Sequence, residues 1–185
     1  MVYPAKIDHA AVVATARRII EREGIPALSI RHLSALLNVQ VPAVYRHVED
    51  KQTLLRIIAL EAARELAMAL SNAISPPSAD AAAQLRALAV AYRRWASDHR
   101  HLYLLLAGNV SEPDVPGSEA TQIVLRPLRE VLTRLAGDRR APAATQACWA
   151  FLHGYLLLEA LGQIGDGDPA TFVTGIDALA RGFSD

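Results

Sequence analysis

The chain is short of cysteine, of net charge and of any apolar run long enough to cross a bilayer. Its one thiol, Cys148, cannot close an internal disulfide or supply a cysteine-based zinc cluster, which fits a reducing compartment. Nineteen Lys and Arg side chains against nineteen Asp and Glu give a formal net charge of zero. The whole-chain balance therefore singles out neither nucleic acid, nor a membrane surface, nor an acidic substrate as a partner. The most apolar stretch, 147–161, offers roughly 15 residues where a span needs about 20, and it contains His153, Gly154 and Glu159. A helix buried on several sides is expected there, and no membrane contact. The first residues, Met1 to Lys6, run into a charged amphipathic stretch without the apolar block of a secretory signal, so a cytoplasmic protein is expected. Runs that alternate apolar and polar at strand spacing are also missing, which argues against a sheet.

What is present is 185 residues of 52% apolar composition, with a mean hydropathy of +0.18, enough to build a core. Periodicity near 3.6 residues recurs along the chain and predicts an all-α fold of about nine helices punctuated by Gly and Pro. A first helix runs from a cap at Asp8 to Glu23, with Val12, Ala16, Ile19 and Ile20 inward, and Gly24 closes it. Ser29 caps a short second helix carrying Leu33, Leu36 and Leu37 inward. Asn38, which tolerates the left-handed conformation, ends it, and Pro42 opens a third short helix through Val48. Asp50 caps a long fourth helix over 51–74, and Pro76-Pro77 stop it. A fifth helix reaches Asp98, and a shorter apolar one ends before Gly108. A loop over 109–118 holds Pro113, Pro116 and Gly117. Pro127 should kink or break the next helix, 119–136. Pro142 opens the apolar helix, Asp166-Gly167 end it, and Asp168-Pro169 start the last helix through Phe183.

The second and third helices are the main local signal. With Leu33, Leu36, Leu37, Val39, Val44 and Val48 turned inward, the third helix presents Val41, Pro42, Ala43, Tyr45, Arg46 and His47 outward. A helix-turn-helix sets the start of its second helix in the major groove, where small apolar side chains meet thymine methyls and Arg reaches guanine edges. Tyr45, His47, Lys51 and Ser29 are the residue types that hold phosphate oxygens. His9 and His32 are expected to face solvent and are given no role.

These residues, Gly24 and Leu28-Ser29-Ile30-Arg31 through Leu33, Leu37-Asn38-Val39, Pro42-Ala43-Val44-Tyr45-Arg46-His47, Lys51 and Leu54-Leu55, resemble the DNA-binding domain of the tetracycline-repressor (TetR) family of bacterial transcriptional regulators. The resemblance implies base contacts by Arg31, Gln40, Val41, Pro42, Ala43 and Arg46, and phosphate contacts by Ser29, Tyr45, His47 and Lys51. Asn38 stands where the family usually has Gly, and Val41 where some members carry a polar reader. The implied organisation is a helix-turn-helix domain over 1–50, a connecting helix over 51–75, and a ligand-binding and dimerisation domain over 76–185. Tyr92-Arg93-Arg94-Trp95, Asp98-His99, Leu102-Tyr103, Trp149 and His153-Gly154 resemble the subgroup named for a Trp, His, Gly motif.

The resemblance further implies a homodimer joined through a four-helix bundle, with Phe151, Tyr155, Leu158, Phe172, Ile176, Leu179 and Phe183 at the interface. Trp95, His99, Leu102, Leu105, Val124, Trp149, Leu152, His153 and Leu156 are candidates for lining an effector pocket, His99 and His153 as its polar groups, although any one of the apolar members reads more simply as plain core. The effector would be a small, apolar or aromatic molecule, and the partner a pseudo-palindromic operator in double-stranded DNA. The fourth helix would be the lever between the two activities. Asp98, His99 and His101 do not share a helix face, so no metal is expected, and no cofactor. Cys148 with His153 lacks an orienting carboxylate and an oxyanion motif, so no catalytic residue is assigned. Two rival functions are an enzyme working in a helical pocket and a module whose exposed third helix docks on protein.

The neutral total divides unevenly. Residues 1–60 carry eight basic side chains against five acidic ones, leaving eleven against fourteen in the rest. The half expected to touch DNA has the sign DNA requires.

Overall fold

The computed structural model describes residues 7–75, 80–108, 119–164 and 168–184. Every regular element among them is helical: α1 His9–Glu23, a 3-10 turn Ile25–Ala27, α2 Ile30–Leu36, α3 Val41–Val44, α4 Lys51–Ala73, α5 Ala81–Asp98, α6 Arg100–Ala107, α7 Glu119–Ala160 and α8 Pro169–Ser184. Among the described residues no helix is long and apolar enough to cross a membrane. Pro76-Pro77, the loop 109–118 and Asp166-Gly167 lie outside the described residues.

The helix ends are written locally. The Asp8 carboxylate accepts from the Ala11 amide at 2.7 Å, and Gly24 closes α1 at φ 83°, its own amide bonded to the Ile20 carbonyl. Ser29 Oγ accepts from the His32 amide at 3.1 Å. Asp50 Oδ1 accepts from the Thr53 amide at 2.6 Å at the start of α4, and that bond holds its carboxyl below the ordinary range. Asp80 receives the Ala83 amide at 2.8 Å, and Asp168 the Ala170 amide at 3.0 Å.

Two compact units emerge. Among the described residues, those up to Ala62 together with 99–108 form the first; 63–98 and those from Glu119 onward form the second. α6, which follows α5 in the chain, thus belongs with α1. In the first unit Val12, Ala16, Ile20, Leu28, Leu33, Val44, Leu54 and Ile58 are almost wholly buried. Burying a side chain of this kind stabilises by about 1.5–3 kcal/mol. In the second unit α5, α7 and α8 pack on one another. Leu85, Leu88, Val131, Leu132, Leu152, Phe172 and Ile176 fill its interior.

Three expectations need correction. Leu36 is 57% exposed, because α2 is only two turns long and its inward stripe is completed by Leu33 and Ser34. α3 is helical only over Val41–Val44, after which the His47 and Val48 amides both reach back to the Val44 carbonyl in a turn. Pro127 does not break α7 and Pro142 does not open its second half: the first half ends at 136 as expected, with the break at Gly137, φ 71° and ψ 161°. That backbone conformation is essentially open to glycine alone, so the hinge follows the residue that can adopt it. It divides α7 into 119–136 and 138–160, which gives nine α-helical segments among the described residues.

Candidate nucleic-acid interface

The turn between α2 and α3 is built from backbone hydrogen bonds. The Leu37 amide reaches the Leu33 carbonyl at 3.0 Å, that of Asn38 reaches Ala35 at 3.1 Å, and that of Val39 reaches Ser34 at 3.0 Å. Asn38 takes φ 52°, the left-handed value that lets the chain reverse within two residues. Gln40 then stands at the N-cap of α3, its carbonyl accepting the Ala43 amide at 2.8 Å, and Pro42 supplies a preset φ in the first turn.

Val44 and Leu33 are wholly buried and Val48 nearly so, which decides the direction of everything else. Arg31, Gln40, Pro42 and Arg46 are exposed, Tyr45 is 51% exposed, and Val41, Ala43 and His47 are half-buried. The six residues expected to meet bases therefore all have surface to offer. Among the four expected at phosphates, the Ser29 hydroxyl already accepts a capping bond but keeps its proton for donation. The Lys51 ammonium lies 3.4 Å from the Ile25 carbonyl, a long contact that leaves further protons for an anion.

Two histidines turn out to brace this head. His32, expected in solvent, is half-buried, and its Nδ1 lies 3.1 Å from the Ala27 carbonyl, fastening α2 to the 3-10 turn. His101 Nδ1 lies 3.0 Å from the Glu21 carbonyl, at the end of α1. That partner is 80 residues away in sequence, so no local pattern could have disclosed it.

The effector-pocket candidates divide between the units. His99, Leu102 and Leu105 fall in the first, with both leucines wholly buried. In the second, Trp95, Val124, Leu152 and Leu156 are interior packing. Trp149 is half-buried, stacked on Tyr92 with centroids 6.2 Å apart and on His153 at 5.3 Å. Of the nine, Trp149 alone lines the cleft of about 450 Å³ between the two halves of α7.

The interface candidates also divide. Phe172 and Ile176 are wholly buried within the protomer and have no surface for a partner. Phe172 instead packs against Phe151 and Tyr155, with centroids 5.9 and 5.0 Å apart, and carries the Arg93 guanidinium 5.5 Å above its ring. Arg93 in turn pairs with Glu159 at 2.5 Å, an ion pair that links α5 to α7 and that periodicity did not suggest. Leu158 is 40% exposed, while Phe151, Tyr155, Leu179 and Phe183 are half-buried.

A short helix backed by Val44, preceded by a tight turn and presenting its polar and small residues outward, defines a helix-turn-helix protein with a separate helical body. A model described as "Tetracyclin repressor-like, C-terminal domain" matches residues 85–179. An uncharacterized HTH-type transcriptional regulator of Mycobacterium tuberculosis is 30% identical over 183 residues, covering 97% of this chain and 83% of that protein. A solved protein with unknown function from Rhodococcus sp. RHA1 aligns with a TM-score of 0.80 and 29% identity over 96% of this chain and 95% of that one. A TetR variant from Acinetobacter baumannii in complex with minocycline shares the fold at a TM-score of 0.69 and 21% identity, over 97% and 96% of the two chains. The chain belongs to the TetR family of transcriptional regulators and is not an enzyme. The match to the C-terminal domain does not single out the Trp, His, Gly subgroup.

Proposed function

We propose that this regulator acts in the cytoplasm as a homodimer, most simply a repressor, that binds a pseudo-palindromic operator and changes its DNA affinity when a small molecule binds the second unit. The observation that carries the DNA reading is the exposed edge from Gln40 to Arg46 with Val44 wholly buried behind it. Arg46 and Arg31 would read guanine edges, Gln40 an adenine edge, and Val41, Pro42 and Ala43 would meet thymine methyls. Ser29, Tyr45, His47 and Lys51 would hold the phosphates that set register.

Two such heads must enter successive major grooves about 34–36 Å apart, or a compatible multiple. The partly exposed Phe151, Tyr155, Leu158, Leu179 and Phe183 support pairing through the second half of α7 and α8. An effector that favours another spacing lowers DNA affinity by population shift rather than by competing for DNA. α4 has residues in both units and is the element through which such a change would pass. The fold neighbour holding minocycline supports a small-molecule effector.

The test is binding-site selection from randomised DNA. The wild type should enrich a two-fold symmetric site. Arg46→Ala and Arg31→Ala should relax the preference at single positions by about 1–3 kcal/mol, while Tyr45→Phe should weaken all sites alike. No enrichment at modest salt, or unchanged preference in both Arg variants, would overturn this assignment.

A further inference from the structure

The break at Gly137 folds α7 back on itself, and the facing stripes of its two halves enclose the cleft of about 450 Å³. One wall is Leu125, Arg129 and Thr133, recurring every fourth residue; the other holds Asp138, Ala141, Pro142, Thr145, Gln146 and Trp149. Leu125 and Trp149 lie twelve residues either side of Gly137, Arg129 and Thr145 eight, and Thr133 and Ala141 four. In an antiparallel pair of helices those partners stand at the same level. The cleft is therefore graded: an aromatic and aliphatic end at Trp149 and Leu125, a cation with Thr145 and Gln146 one turn closer to the hinge, and polar groups at the hinge itself.

Two features suit a ligand. The volume falls within the range of small-molecule sites, and the lining sets the Trp149 indole and Leu125 at one end apart from the polar Arg129, Thr133, Asp138, Thr145 and Gln146. Arg129 is exposed and forms no ion pair with a described residue. Arg126 and Arg134 on the same helix half outnumber Glu130, and the carboxylate of the cleft lining, Asp138, stands at the hinge end, about two turns from Arg129, so the charges nearest Arg129 favour an anion. Two levels one turn apart are about 6 Å apart along the helix axis, close to the span from ring centre to carboxylate in a one- or two-ring aryl acid.

We infer that this cleft binds a small aromatic carboxylate, its ring against Trp149 and Leu125 and its carboxylate held by Arg129 with Thr145 and Gln146. The inference rests on the effector reading of the second unit and gives that effector a chemical class. Planar guanidinium and carboxylate match as a fork, which a neutral polar group cannot reproduce.

The experiment is calorimetric titration of the full chain with 2-naphthoate and with its uncharged analogue 2-naphthalenemethanol. Naphthoate should bind about tenfold more tightly, the difference expected of one charge-assisted contact. In Arg129→Gln, at an exposed position that leaves the fold intact, the preference should fall to near unity, and Gln146→Glu should weaken naphthoate selectively. Equal affinities for the two probes, no binding of either, or a preference retained in Arg129→Gln would overturn the assignment. Operator binding with and without naphthoate separates the two readings. Naphthoate that binds in an Arg129-dependent way but leaves DNA affinity unchanged upholds the cleft and overturns its role as the effector site. Intact operator binding without naphthoate binding overturns the cleft alone.

Discussion

At the scale of single residues, the capping chemistry was the most legible part of the chain, because a cap depends on one side chain and the three amides after it. Asp8, Ser29 and Asp50 were identifiable from type and position, and each accepts the expected amide. Ser29→Ala should cost about 1 kcal/mol in chemical denaturation. What was not legible was which residues braced the head from afar: nothing about the types of His32 and His101 announces bonds to the Ala27 and Glu21 carbonyls. Cys148, wholly buried, has its thiol pushed up to about 11 by that burial. It should react with a disulfide reagent at pH 8 far more slowly in the folded protein than in urea; equal rates would contradict its placement. His153 is held below the ordinary imidazole value of 6.5 by burial. The unfolded chain then binds that proton more readily, so stability is fullest above pH 6.5 and falls as the pH drops below it through the lowered folded value. Urea midpoints should decline between pH 7.5 and 5, and less so in His153→Gln.

At the scale of elements, the helices themselves followed from periodicity, whereas their breaks and facings did not. Proline is the residue type expected to break a helix, yet Pro127 is accommodated in α7 and the break sits at Gly137. A Cβ at Gly137 would meet no atom within 4 Å, so Gly137→Ala tests backbone strain alone and should cost about 1–3 kcal/mol. Gly175 presents the opposite case: a Cβ there would overlap the Phe151 ring, so Gly175→Ala must push α8 from α7 or displace that ring. A loss of about 1–3 kcal/mol is expected by thermal or urea unfolding. Phe172 and Ile176 show why facing was hard to assign. An apolar stripe looks the same whether it meets its own protomer or a partner, and here the stripe is consumed internally by Phe151 and Tyr155. The candidate reading face is legible because it depends on short-range turn chemistry, whereas the α7 cleft depends on two stripes meeting across a hinge, a contact that periodicity along either stripe does not reveal.

At the scale of the whole molecule, the neutral net charge concealed a division that matters. The first sixty residues carry eight basic against five acidic side chains, a small excess for a nucleic-acid surface. With so modest a field, the proposed DNA affinity would come from duplicating the head in the proposed dimer and from the few cations assigned to the contact, Arg31, Arg46 and Lys51. Of the two rival readings the enzyme fails at this scale, because the family membership defines a regulator; a third helix that docked on protein would bind with little dependence on counterions. Salt is therefore the most direct probe of the central claim that the exposed edge of α3 binds DNA. Affinity for a selected operator should be measured across a series of salt concentrations, with wild type and with Arg46→Ala. The logarithm of the binding constant should fall linearly with that of salt by about 0.9 per phosphate neutralised, with a total slope of about −2 or steeper. Arg46→Ala should bind more weakly. A binding constant indifferent to salt, or unchanged by Arg46→Ala, would contradict the account.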